Sequence, residues 1–211
     1  MQDIDLIKGV SVPYWLELGM ALSLITIGYI TGIVKKRTHI AKKNLKVSWN
    51  THSQIHELLT ELRVRVDAAR TQVIQFHNGE YFMDGISMKK LSLTHESLSK
   101  GVSQAGTWRS NILISLFTPL MKKLLKDSAE IYRTIEDENS TCKHIMLSNN
   151  TVSYAILPLR HKNSISGYIL IDWCSEAKSK RINPEQVVIF LTEARDYTEV
   201  YLKYILKEEN L

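Results

Sequence analysis

Two histidines four residues apart, His52 and His56, lie in a stretch of helical periodicity. Side chains at i and i+4 share a helix face, so such a pair has the spacing to ligate a metal ion. A metal site needs further donors, and the sequence places none beside them. They read as two solvated histidines, and no metal site is expected. Cys142-Lys-His144 is too short and isolated for zinc, and Cys174 follows an apolar segment and reads as core. The chain has no Gly-rich phosphate loop, no G-x-S-x-G elbow and no Cys-x-x-Cys pair. Nothing supports nucleophilic or metal-dependent hydrolysis; no catalytic residue is assigned, the chain is not expected to be an enzyme, and no cofactor is identified.

The segment least like plain scaffold is Phe76-His-Asn-Gly-Glu-Tyr-Phe-Met-Asp-Gly85, leading into Ser87–Glu96. It groups aromatic and hydrogen-bonding side chains around flexible backbone at a strand end, as a site for a small polar ligand requires. The expected ligand-binding set is His77, Asn78 and Thr94 as bonding groups, with Tyr81, Phe82 and Met88 enclosing the ligand. Ser92 and His95 complete it from the next strand. The plainer alternative is an Asn78-Gly79 turn with aromatics covering the sheet edge.

The elements that would hold such a site begin with an uncharged run of 17 residues, Leu18 to Val34. Extended back to Pro13 it makes a helix of about 33 Å, enough for a bilayer core of about 30 Å. Tyr14 and Trp15 sit at the level of an interfacial belt, and Lys35, Lys36, Arg37, Lys42, Lys43 and Lys46 follow the run with no acid before Glu57. The expectation is therefore a single-pass inner-membrane protein: a short extracytoplasmic N-terminus (1–12), a transmembrane helix (13–34), a basic juxtamembrane linker (35–49) on anionic headgroups, and a cytoplasmic domain (50–211). Gly28 and Gly32 form a small-xxx-small pattern suited to anchor dimerisation.

The formal charge of +5 concentrates in this region. Residues 1–47 carry seven Lys/Arg and three acids, which leaves 20 and 19 for the rest. A nearly neutral domain argues against nucleic-acid binding.

Within 50–211, Ile55, Leu58, Leu59, Leu62, Val66 and Ala69 predict a helix over 50–70. Strands are predicted at Thr71–Phe76 and Ile86–Thr94, with a bulge or a change of exposed face at Lys89-Lys90. A short helix over Ser110–Phe117, a second from Thr118-Pro119 and a strand at Glu130–Ile135 follow. Val152–Leu159 and Ile165–Trp173 form a hairpin, and Asn183-Pro184 opens a closing helix. This order implies an α+β fold, an antiparallel sheet with flanking helices packed mainly on one face.

The sequence Tyr-Ala-Ile-Leu-Pro-Leu (154–159), a short turn, Gly-Tyr-Ile-Leu-Ile-Asp-Trp (167–173) and the capped last helix resemble a GAF domain, the PAS-related sensor fold, over about residues 50–207. The resemblance implies a pocket between the sheet and the short helices, and dimerisation through the first and last helices. A weaker resemblance, confined to the last fifty or so residues, is to the holins of T-even phages, which time host lysis. In that family the domain is periplasmic, opposite to what the flanking charges predict here. The expected function is a membrane-anchored, GAF-like regulatory module that binds a small molecule or a protein partner. A holin-type protein is the alternative.

Overall fold

A computed structural model describes the backbone of residues 14–81, 87–105 and 109–209. It also describes their side chains, apart from those of 14–18, 20, 21, 36–48, 80, 81, 87, 88 and 206–209. The chain divides into two compact units, Met1–Val47 and Ser48–Leu211.

The first element is one continuous helix, α1 (Tyr14–Arg65). The expected linker at 35–49 is therefore helical. Those positions hold no Gly or Pro, and nothing in them interrupts the backbone ladder. From Leu22 to Val34 the large apolar side chains are exposed, from 37% at Ile33 to 71% at Tyr29. Thr26 and Thr31 return their hydroxyls to helix carbonyls, at 2.8 Å to Ser23 and 2.9 Å to Ile27. Among the described residues no helix is long and apolar enough to cross a membrane. The expected span takes in positions 13–18, 20 and 21, whose side chains lie outside the described set.

In the second unit α1 stops at Arg65, short of the predicted Arg70, because Asp67 turns the chain with a φ of 48°. The order is then β1 (Arg70–Tyr81), β2 (Ser87–Leu98), β3 (Ile112–Leu113), a 3₁₀ turn (Ile114–Phe117), α2 (Thr118–Leu124) and β4 (Glu130–Arg133). After these come α3 (Thr141–Ser148), β5 (Ser153–His161), β6 (Ser164–Trp173), α4 (Glu176–Ser179) and α5 (Pro184–Glu209). Helix α3 has no counterpart among the predicted elements; Ser140 caps it by accepting from the Lys143 amide. The predicted helix over 110–117 is a two-residue edge strand followed by the 3₁₀ turn.

The six strands form one antiparallel sheet in the order β3-β2-β1-β6-β5-β4. The β5–β6 hairpin turns through Lys162 and Asn163, both at positive φ, the geometry that matches strand twist. No irregularity falls at Lys89-Lys90, which pair regularly with Asn78 and His77. The register instead shifts between Val73 and Ile74, opposite Thr94, and again between Asn78 and Tyr81.

Helices cover both faces of the sheet, where packing mainly on one was expected. Ile55, Leu59 and Leu62 of α1 with Val187, Leu191 and Ala194 of α5 pack on Val73, Leu157, Ile169, Ile171 and Trp173. The other face carries Leu120 and Leu124 of α2 and Met146 of α3 on Ile74, Tyr154, Ile156, Tyr168 and Leu170. Two covered faces are why β5 and β6 read as nearly continuous apolar runs.

Candidate ligand site

The β1–β2 ladder brings His77 and Ser92 of the predicted set together and turns His95 away from them. His77 Nε2 lies 2.9 Å from Ser92 Oγ, and Lys89 Nζ donates to Asn78 Oδ1 at 2.7 Å. Thr94 is the extra residue of the bulge and donates to Val73 O at 3.2 Å. His95 is turned to α1, where its Nε2 lies 2.8 Å from His52 Nδ1. Phe82 lies outside the described residues, as do the side chains of Tyr81 and Met88. His52 thus has a histidine partner that its sequence neighbourhood did not reveal. Among the described residues no group of three or more His, Cys, Asp or Glu is gathered to hold a metal ion. Cys142 is buried and His144 is exposed on the same helix, so the two diverge.

A cavity of about 760 Å³ opens instead at the end of the sheet where β1 and β5 start and β4 and β6 finish. Its floor is Arg70, the first residue of β1. The Arg70 Nε lies 3.0 and 2.9 Å from the two Asp172 oxygens, while Nη1 donates to Ser103 O at 3.1 Å. Nη2 donates to Asn149 O at 2.6 Å and to Thr151 Oγ1 at 3.1 Å. One guanidinium thereby ties together β1, β6, the end of α3 and the loop through Ser103. Burial pushes the Asp172 carboxyl above its usual range, and Arg70 draws it back. Burial likewise pushes the Cys174 thiol, on the same floor, up to about 11.

Val102, Ile135, Leu147 and Val152 give the cavity apolar walls, and Ile135 and Leu147 are exposed at its mouth. Arg133 at the rim pairs with Glu176 at 3.5 Å. The charges around the cavity are therefore matched within the protein. Among the described residues three buried side-chain atoms lack a hydrogen-bond partner: Arg109 Nη2, Thr198 Oγ1 and Thr134 Oγ1. Of the three residues, Thr134 lines this cavity. A buried hydroxyl without a partner costs about 1–3 kcal/mol.

Between the sheet and the short helices, where the GAF resemblance placed a pocket, there is a cavity of about 250 Å³. Lys123 occupies its wall, paired with Asp137 and bonded to Tyr154 Oη at 2.6 Å. Tyr154 in turn donates to Asp137 Oδ2 at 2.6 Å, and Cys142 beside them is pushed up to about 12 by burial. Apolar side chains fill most of this face.

No family model matches the sequence, and no curated protein matches it. Solved structures do resemble the fold. The phycoerythrobilin-bound GAF domain of a cyanobacterial phytochrome aligns with 81% of this chain and 94% of its own, at TM-score 0.55 and 13% identity. A far-red cyanobacteriochrome photoreceptor aligns with 87% and 98%, at TM-score 0.55 and 13% identity. The GAF domain of a two-component sensor histidine kinase from Bacillus halodurans aligns with 72% and 92%, at TM-score 0.52 and 16% identity. The fold is that of GAF domains, an α+β architecture with an antiparallel six-stranded sheet and flanking helices.

Proposed function

We propose that the chain is a non-catalytic regulatory module of GAF fold, anchored in an inner membrane by segment 13–34 with its folded domain on the cytoplasmic side. Its ligand is a small uncharged molecule received in the cavity floored by Arg70. The cavity carries this reading: its size suits a small molecule, its walls are apolar, its charges are matched, and the Thr134 hydroxyl is unpartnered. An anionic or cationic ligand would have to break the Arg70–Asp172 or Arg133–Glu176 pair. The ligand is thus moved away from the β1–β2 strand end, where His77 and Asn78 bond to Ser92 and Lys89.

Support for the anchor is the exposed apolar run from Leu22 to Val34, whose two threonines are satisfied inside the helix as lipid demands. Lys35, Lys36, Arg37, Lys42, Lys43 and Lys46 then rest on anionic headgroups. A homodimer is part of the proposal. Gly28 and Gly32 present bare backbone, and Ile189, Tyr197, Val200 and Tyr204 are exposed on α5.

Thermal unfolding of the full-length protein in detergent micelles tests the ligand. Uncharged nucleosides and free heterocycles are the probes, with the matching nucleotides as charged counterparts. A neutral probe should raise the Tm of the native protein and lose its effect in Thr134→Val. Stabilisation by nucleotides alone would overturn the ligand class, and no stabilisation by any probe would leave a protein-binding role. A reporter fused to the C-terminus fixes the side of the membrane; a periplasmic signal would favour the holin-type alternative.

A further inference from the structure

The bulge at Thr94 sets the direction of His95. Because Val73 pairs with His95 and Ile74 with Leu93, His95 shares the α1 face with Val73 while Leu93 packs on the opposite core. There it meets His52, with Nδ1 of His52 and Nε2 of His95 2.8 Å apart. The ring centroids are 5.0 Å apart and the planes differ by 27°, a separation larger than the nitrogen spacing by about two ring radii. The imidazoles therefore meet end to end in nearly a common plane, as a hydrogen bond requires.

The surrounding network assigns the protons. Thr94 Oγ1 donates its proton to Val73 O, so towards His95 Nδ1, 3.0 Å away, it can only accept. His95 carries its hydrogen on Nδ1 and offers a lone pair at Nε2, to which His52 Nδ1–H donates. His52 is exposed, leaving its own Nε2 free towards solvent, whereas His95 is partly buried. The titratable groups acting on His95 are His52 and His56, both from α1. β1 presents Val73 opposite; of the charged side chains of α1, Arg63 is bonded to Ser97 of β2 at 3.2 Å, and Glu57 and Glu61 lie beside His56 and Thr60.

We propose that the His52–His95 contact is a proton clasp between α1 and the sheet. A proton can enter the bond only at the His95 Nε2 lone pair, which ends the hydrogen bond and leaves a positive ring facing the His52 Nδ1–H. That step releases the α1 segment around His52 from β2. Burial foremost, and then the charges of His52 and His56, hold His95 down to about 4 from 6.5. The folded protein thus declines a proton that the unfolded chain accepts. This contribution to stability is whole above about pH 6.5 and is lost as pH falls towards 4, the unfolding equilibrium rising about tenfold per pH unit. The inference stands independently of the ligand proposed above.

The test uses the full-length protein and two readouts. Urea unfolding followed by tryptophan fluorescence, from pH 7.5 to 4.5, compares the native protein with His95→Gln. The amide oxygen of H95Q still accepts from His52 Nδ1–H but takes up no proton. H95Q should lose the tenfold-per-unit fall below pH 6.5 while matching the native protein at pH 7.5. Superimposable pH profiles would overturn the clasp. Histidine ring signals in NMR, read on the native protein, decide the matter even if H95Q fails to fold. The His95 ring should shift near pH 4; a midpoint near 6.5 would overturn the proposal.

Discussion

Arg70 and Asp172 are register partners across β1 and β6, and their side chains close a fully buried ion pair with both carboxylate oxygens within 3.0 Å of one guanidinium nitrogen. The pair is a structural joint and also the floor of the cavity. Asp172→Asn leaves a buried guanidinium without its counter-charge, which should destabilise the protein by about 3–5 kcal/mol. Replacing both partners, R70M with D172L, should cost less than the single change. Urea unfolding of the three variants measures both statements.

Gly167 explains why β6 can lie so close to β1. A Cβ there would stand 2.2 Å from the Ile74 carbonyl oxygen, and that oxygen belongs to backbone held in the centre of the sheet. Gly167→Ala should destabilise by about 2–3 kcal/mol, with Tm falling by roughly 5–10 °C. A Tm unchanged in the calorimeter would mean that the two strands can part without loss.

The readable parts of the sequence were those where one local rule dominated. The β5–β6 hairpin and the cap at Asn183, whose Oδ1 accepts from Gln186 N at 3.3 Å, follow from runs and caps that need no distant partner. Coverage of both sheet faces was also written in the unbroken apolar run of Tyr154 to Leu159, since a one-sided strand would alternate; the run does not name α2 and α3 as the elements that pack there. The cavity was illegible. Arg70, Thr134 and Cys174 are scattered through the chain, and a charge at the start of β1 and another near the end of β6 were the only signal. Period-two alternation hides a bulge and so groups His95 with His77; one extra residue at Thr94 sends it to His52.

The two thiols are free, and their surroundings set how they react. Cys174 is pushed up to about 11 from 9.0, with burial the larger cause and the Asp172 carboxylate next. Cys142 is pushed to about 12, again chiefly by burial. The reactive thiolate of Cys174 is then about a hundredfold scarcer at pH 8 than in the unfolded chain. Labelling by a disulfide reagent at pH 8 should be at least that much slower before than after addition of urea. Equal rates would place both sulfurs in contact with solvent.

The glycines of the apolar run of α1 provide a test of anchor pairing that leaves the fold untouched. At Gly19, Gly28 and Gly32 an added Cβ would meet nothing within 4 Å, so the single chain gives no packing reason for a missing side chain at any of them. Glycine inside a helix instead costs about 1 kcal/mol relative to alanine. Gly28 and Gly32 are one turn apart on one face, whereas Gly19, nine residues earlier, falls about 180° round the helix. If two anchors meet through the bare backbone at 28 and 32, Gly28→Leu with Gly32→Leu should hold them apart. Self-association in lipid vesicles, read by energy transfer between labelled copies, should then weaken by about tenfold, equivalent to about 1.4 kcal/mol. Gly19→Leu should leave it unchanged. Equal loss from both variants would implicate general crowding of the helix, and no loss from either would remove the glycine face from the dimer.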